Sequence, residues 1–205
     1  MQEAINIIKD NFYFTWFAML IFFGGFCFSY AVNRYDLKFF IWFPKWFLSL
    51  MMKFITPTSS FIRIFLVIFL FNSISIAIYM SSGIFVILPF VIVFFTGMNI
   101  GLTVFIPPQT GMEGFAERMP KTPAKALKMM FFSTLVLVLE VVAFSTALGM
   151  GMSLGAAAAS TGFMGTTYSI FIYGLILMRL KAYLYVCVPI LAVSAYLEAR
   201  VIRGD

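Results

Sequence analysis

The sequence predicts an all-α protein, a polytopic transmembrane helical bundle of about six spans plus an interfacial amphipathic helix, all within a single domain over residues 1–205. Three observations carry this prediction. Hydrophobic residues make up 62% of the chain and charged residues 11%, against roughly 45–50% and about 25% in water-soluble domains. The apolar residues fall in long uncharged runs, and about 20 such residues cross a bilayer as a helix. The charges gather in the gaps between those runs.

The first run, 12–32, is too long for a signal-peptide core and lacks a small-residue cleavage site, so it reads as a retained helix. Asn33, Arg34, Tyr35 and Asp36 close it. Over 37–55, aromatics and Met alternate with Lys38, Lys45 and Lys53, and Pro44 interrupts the run. That stretch is too short between lysines to span and reads as an interfacial helix with Trp42 and Trp46 at headgroup depth. Spans follow at 61–80 and 84–106, joined by a tight turn at Ser81, Ser82 and Gly83. Pro107 and Pro108 end the third span, and Gln109–Lys128 is the one long polar connection. The remaining spans are 129–150, 156–178 and 182–199, with turns expected at Gly151–Gly155 and at Arg179–Lys181.

Orientation follows from the cations, since Lys and Arg are retained on the inner side. With six spans and the N-terminus outside, Arg34, Lys38, Lys45, Lys53, Arg63, Arg118, Lys121, Lys125, Lys128, Arg179 and Lys181 face inward. Lys9, Arg200 and Arg203 face outward, so both termini are expected outside. The net charge of +6 is scattered through the loops, a pattern that suits anionic lipid headgroups and not nucleic acid.

Histidine is absent. This removes the usual metal ligand and the usual general base together, and with them HExxH zinc chemistry, histidine-ligated haem and Ser-His relays. No cofactor and no metal site is expected. No aspartate occurs in any span, which argues against an intramembrane hydrolase, and the chain reads as a non-enzyme. Cys27 and Cys187 sit inside apolar runs without a CxxC partner and behave as small hydrophobes.

Three stretches carry a resemblance to a known family. The chain enters with Ile7-Ile8-Lys9-Asp10-Asn11 and a first span ending Gly24-Gly25-Phe26. Its middle reads Phe71-Asn72-Ser73-Ile74-Ser75-Ile76-Ala77, then Leu88-Pro89, then Gly97-Met98-Asn99-Ile100-Gly101. Glu140 and the later Ala195-Tyr196-Leu197-Glu198-Ala199 complete the set. In this order they resemble the stage II sporulation protein M family of polytopic membrane proteins. The family often has His-Gly shortly before the glutamate, where this chain has Val136 and Leu137, so no role needing that histidine carries over. The resemblance implies a multi-pass subunit of a cell-membrane or cell-envelope complex.

The polar residues within the spans are the candidates for function. Glu140 lies twelve residues past Lys128, ~18 Å along a helix, where an ionised carboxylate costs about 2.5 kcal/mol or more. It should face the bundle interior, either as a structural, hydrogen-bonded group or as a proton or cation site. Glu198 approaches the opposite interface from Lys128, as an ion pair with Arg200 or Arg203 or as a partner of Glu140. Asn72 and Asn99 read as inter-helix hydrogen-bonding groups or substrate contacts. Gly97 and Gly101, and Gly151 and Gly155, form small-xxx-small pairs that permit close helix packing, while Pro89 and Pro189 are candidate kinks. Two functions are expected from these features. The first is a non-catalytic membrane subunit or scaffold that binds membrane lipids and other membrane proteins or copies of itself. The second is a small transporter or channel that binds a cation or proton at Glu140.

Overall fold

The structure is a computed structural model that describes residues 2–55, 59–85, 87–105, 122–161 and 166–203. Among these residues there are eight α-helices and no strand: α1 (Gln2–Asp10), α2 (Phe12–Arg34), α3 (Lys38–Met52), α4 (Phe61–Ser81), α5 (Leu88–Phe105), α6 (Pro123–Thr161), α7 (Thr166–Ala182) and α8 (Val188–Arg203). Four helical stretches are long and apolar enough to cross a membrane: Phe12–Arg34, Phe61–Ser81, Pro123–Ser160 and Tyr173–Arg203. Helix α5 adds a shorter apolar stretch, Leu88–Leu102. The all-helical, membrane-type architecture is therefore present, with four such stretches where the apolar runs predict six.

Local chemistry sets several of the boundaries. Helix α2 ends where Asp36 takes a left-handed conformation, φ 49°, which Asp tolerates better than most side chains. The Leu37 N–H then reaches back to the Val32 carbonyl at 3.0 Å, satisfying a helix-end acceptor and turning the chain into α3. Ser60 caps α4 by accepting from the Arg63 N–H at 3.3 Å, and Arg63 Nε donates to the Phe54 carbonyl at 3.0 Å. Ser82–Ile84 forms one 3-10 turn after α4. Pro89 occupies the first turn of α5, where its missing N–H has no intrahelical acceptor to serve, so it opens the helix and does not kink it.

Two expected turns are helical instead. Helix α6 runs through Gly151–Gly155 to Thr161 without a break. Gly149 and Gly151 are glycines because neighbours press on them. A Cβ on Gly149 would come within 2.7 Å of the Thr15 backbone nitrogen, and one on Gly151 within 2.5 Å of the Tyr79 carbonyl oxygen. Neither needs a left-handed conformation, and Met150, Met152, Leu154 and Ala156–Ala159 around them are good helix formers. The polar connection expected over Gln109–Lys128 lies outside the described residues as far as 121 and is already helix from Pro123.

Arg179 and Lys181 likewise mark no turn. The chain stays helical from Thr166 to Arg203, interrupted only by a π turn at Tyr183–Cys187 in which the Val188 N–H bonds to the Tyr183 carbonyl. Pro189 has no N–H to offer the preceding turn, and a widened turn is one way a helix absorbs that loss. Here the proline is accommodated without ending the helix.

Helix directions follow from the contacts. On α2 and α5, Phe17 meets Phe90, and Phe22 and Ser29 meet Gly97 and Gly101 in the same order, so the two helices are parallel. On α4 and α6, Asn72 meets Glu140 and Gly83 meets Gly151, again a parallel pair. Helix α8 opposes α4, with Tyr196 against Phe61 and Tyr183 against Ser73. The bundle therefore has an α1 end, marked by Asn11, Ser82, Ser153 and Arg179, and an α3 end, marked by Arg34, Arg63 and Arg203. The termini lie at opposite ends, not on one side as six spans require, because α7 and α8 make one continuous pass. Helix α3 bridges the α3 end: Ile41 packs with Val32, Met98 and Leu102, and beyond its last turn Ile55 packs with Ile64, Ile68, Ala195 and Ala199.

Candidate functional site

Within α4, α6 and α8 the apolar packing gives way to polar side chains. Asn72, midway along α4, donates from Nδ2 to Glu140 Oε1 of α6 at 2.7 Å. The buried hydroxyl of Ser194 on α8 lies near the same carboxylate and makes no hydrogen bond among the described residues. Glu198 lies one helical turn beyond Ser194 on the same face, within electrostatic reach of Glu140. Three helices thus bring two carboxyl groups, an amide and a hydroxyl together. Among the described residues neither glutamate has a basic partner at ion-pair distance, and the exposed Lys38–Asp36 contact, 3.7 Å, is elsewhere.

Toward the α1 end, Tyr79 also lies within the field of Glu140. Its hydroxyl is 3.0 Å from Thr96 Oγ1 of α5. Thr96 gives its own proton to the Ile92 carbonyl at 2.7 Å, so Tyr79 is the donor between them. Tyr183, at the start of the π turn, donates to the Ser73 carbonyl at 3.3 Å. These groups form a polar layer through the middle of a hydrophobic bundle, where a polar atom without a partner costs several kcal/mol.

Of the residues singled out from the sequence, Glu140, Glu198 and Asn72 come together. Glu198 approaches Glu140 and makes no ion pair with Arg200 or Arg203, since Arg200 lies over the Tyr196 ring, 5.3 Å from its centroid. Asn99 is one turn from Thr96 on α5 and makes no hydrogen bond to Glu140 or Asn72. Its Oδ1 is buried without a donor among the described residues. The glycines belong to helix contacts: Gly97 against the Phe22 backbone, Gly101 against Ser29 and Phe26, and Gly151 against Tyr79. Gly155 is buried in α6.

Ser194 and Arg179 were not foreseen as site residues. Ser194 stands four residues before Glu198, a spacing that places both on one helix face, and that signal was available in the sequence. Arg179 is buried at the α1 end. Its Nε donates to the Met150 carbonyl at 3.1 Å, Nη1 to the Leu175 carbonyl at 3.2 Å and Nη2 to Ser153 Oγ at 2.7 Å. Among the described residues no group of three or more His, Cys, Asp or Glu side chains is arranged to hold a metal ion.

Comparison of the chain with protein-family models, with curated proteins and with solved structures finds no match.

Proposed function

We propose that the chain is a multi-pass cell-membrane protein that binds a proton or small cation at Glu140 and Glu198, as a small transporter or channel. The observation that supports this is the convergence of two carboxyl groups from different helices, with Asn72 and Ser194 beside them and no basic partner among the described residues. In an apolar interior, charge on such a pair calls for a proton or a cation to offset it. Asn72 and Ser194 supply neutral polar contacts whether or not the cation is present. The Tyr79–Thr96 pair continues the polar layer toward the α1 end.

The test is flux in proteoliposomes under an imposed proton or sodium gradient. The native chain is expected to dissipate the gradient. Glu140→Gln, which keeps an oxygen for Asn72 to donate to, is expected to slow dissipation tenfold or more, and equal flux in the two proteins overturns the reading.

The orientation that goes with this reading has the α3 end in the cytoplasm. Arg34, Lys38, Lys45, Lys53, Arg63, Lys125, Lys128, Arg200 and Arg203 belong to that end, and Lys9, Arg179 and Lys181 to the other, so cation retention favours an outside N-terminus and an inside C-terminus. Helix α3, with exposed Phe39, Trp42 and Trp46, then lies in the inner interface as a lipid-binding surface.

A second reading is a scaffold that docks other membrane proteins or copies of itself, as in the stage II sporulation protein M family. It is favoured by the reach of α6, which continues ten residues past Gly151, ~15 Å at 1.5 Å per residue. There Leu154 and Ala158 pack with Leu175 and Ile176 of α7. Purification in mild detergent separates the readings, since a scaffold is recovered as an assembly and a solitary monomer speaks against it.

A further inference from the structure

At the α1 end, far from the glutamates, a recess of about 220 Å³ opens between α1 and α7. Its lining is Ile7, Asp10, Asn11, Leu175, Met178 and Arg179. It therefore holds one cation and one anion on opposite helices, and no ion pair joins them. We propose that this recess binds a phosphate ester joined to a primary ammonium, the chemistry of phosphoethanolamine, with the phosphate at Arg179 and the ammonium at Asp10.

The case rests on how Arg179 is held. A guanidinium carries one N–H on Nε and two on each terminal nitrogen. Met150, Leu175 and Ser153 take one from each nitrogen, which fixes the group and leaves a further N–H on Nη1 and on Nη2. A buried, oriented guanidinium with donors in reserve is suited to phosphate, which it meets through paired hydrogen bonds. A purely structural arginine accounts for the bonds to α6 but not for Asp10 in the same recess.

Asp10 argues against a simple anion, which it would repel, and supplies acceptors for an ammonium group. Asn11 is committed locally, donating from Nδ2 to the Ile7 carbonyl at 2.6 Å, and so helps to shape the wall. Ile7, Leu175 and Met178 offer an apolar rim for the carbon chain that links or follows the charges. The recess lies level with Ser153 and with the end of α4 at Ser81.

The phosphoethanolamine group could come from a lipid or from a soluble zwitterion, and one experiment distinguishes them. The full chain in detergent is titrated with phosphatidylethanolamine, phosphatidylglycerol and phosphatidylcholine of identical acyl chains, and separately with soluble phosphoethanolamine, with retention read by native mass spectrometry. Phosphatidylethanolamine is expected to be held at least tenfold more tightly than the other two lipids. That preference is expected to vanish in Asp10→Asn and to persist in Asp10→Glu, which keeps the carboxylate. Displacement of the lipid by equimolar soluble phosphoethanolamine assigns the site to the free zwitterion, and failure to displace assigns it to the lipid. Equal retention of the three lipids, or any other pattern in the two Asp10 variants, overturns the proposal.

Discussion

Helices α2 and α5 meet through their backbones, whereas α4, α6 and α8 meet around polar side chains. In the first interface Gly25 lies against the Phe94 carbonyl, Gly97 against Phe22, and Gly101 against Ser29 and Phe26. In the second, Glu140, Asn72, Ser194 and Glu198 occupy space that apolar side chains would otherwise fill. Lipid is as apolar as any side chain, so helices in a membrane associate by close packing and hydrogen bonds and not by escape from solvent. The glycine interface uses the first of these and has no tolerance for added atoms. The polar interface uses the second, with groups whose retention needs a reason beyond stability, because an apolar core of similar volume is often at least as stable.

Substitutions that add atoms to one interface or remove polarity from the other sharpen this contrast. The largest effect is expected for Gly97→Leu, whose Cβ alone would fall within 3.1 Å of the Phe22 Cα and closer still to its carbonyl. The α2–α5 pair must then separate, and unfolding in mixed micelles should show a loss of about 3 kcal/mol or more. Asn72→Leu, which strips Glu140 of its donor, should destabilise by about 1–2 kcal/mol. In a double-mutant cycle with Glu140→Gln, the two sites should couple by about 0.6–1.7 kcal/mol. Additivity there would mean that the Asn72–Glu140 contact contributes nothing.

Smaller effects of the opposite sign are expected elsewhere. Asn99→Leu removes a buried Oδ1 that has no donor among the described residues, and should be neutral or stabilise by up to about 1 kcal/mol. Thermal melts would read this directly. Gly24→Ala should change least. Nothing lies within 4 Å of its added Cβ, although the neighbouring Gly25 is in backbone contact. A gain of a few tenths up to about 1 kcal/mol fits helix propensity alone. A destabilisation at Gly24 as large as that at Gly97 would show that glycine contact does not distinguish the α2–α5 interface.

Much of this was legible in the residues. The uncharged runs identify membrane-type helices, and the rarity of Glu and Asn within them singles out Glu140, Glu198 and Asn72. What could not be read was the role of particular glycines and cations. Gly151 looks the same in a sequence whether it ends a helix or admits a neighbour, and only Tyr79 and Gly83, some seventy residues earlier, decide the matter. Arg179 reads as a loop cation beside Lys181, yet Met150 and Ser153 of another helix supply its acceptors. The reading at Gly151 ended α6 too early, whereas the reading at Arg179 added a turn that does not exist, and that one extra turn put both termini on one side. Asn99 shows the reverse limit, since an amide in an apolar run proved to be near the polar layer without bonding to Glu140 or Asn72.

The π turn at Tyr183–Cys187 has a consequence in angular phase. Arg179 and Glu198 are nineteen positions apart, and in an unbroken α-helix their side chains would point about 100° away from each other. A π turn accommodates one surplus residue, and that surplus subtracts about 100° from everything downstream. The two residues are thereby returned to a common azimuth, and both are directed at α6: Arg179 toward Met150 and Ser153, Glu198 toward Glu140. Without the widened turn, a helix pinned by Arg179 at one end would carry Glu198 away from its counterpart at the other.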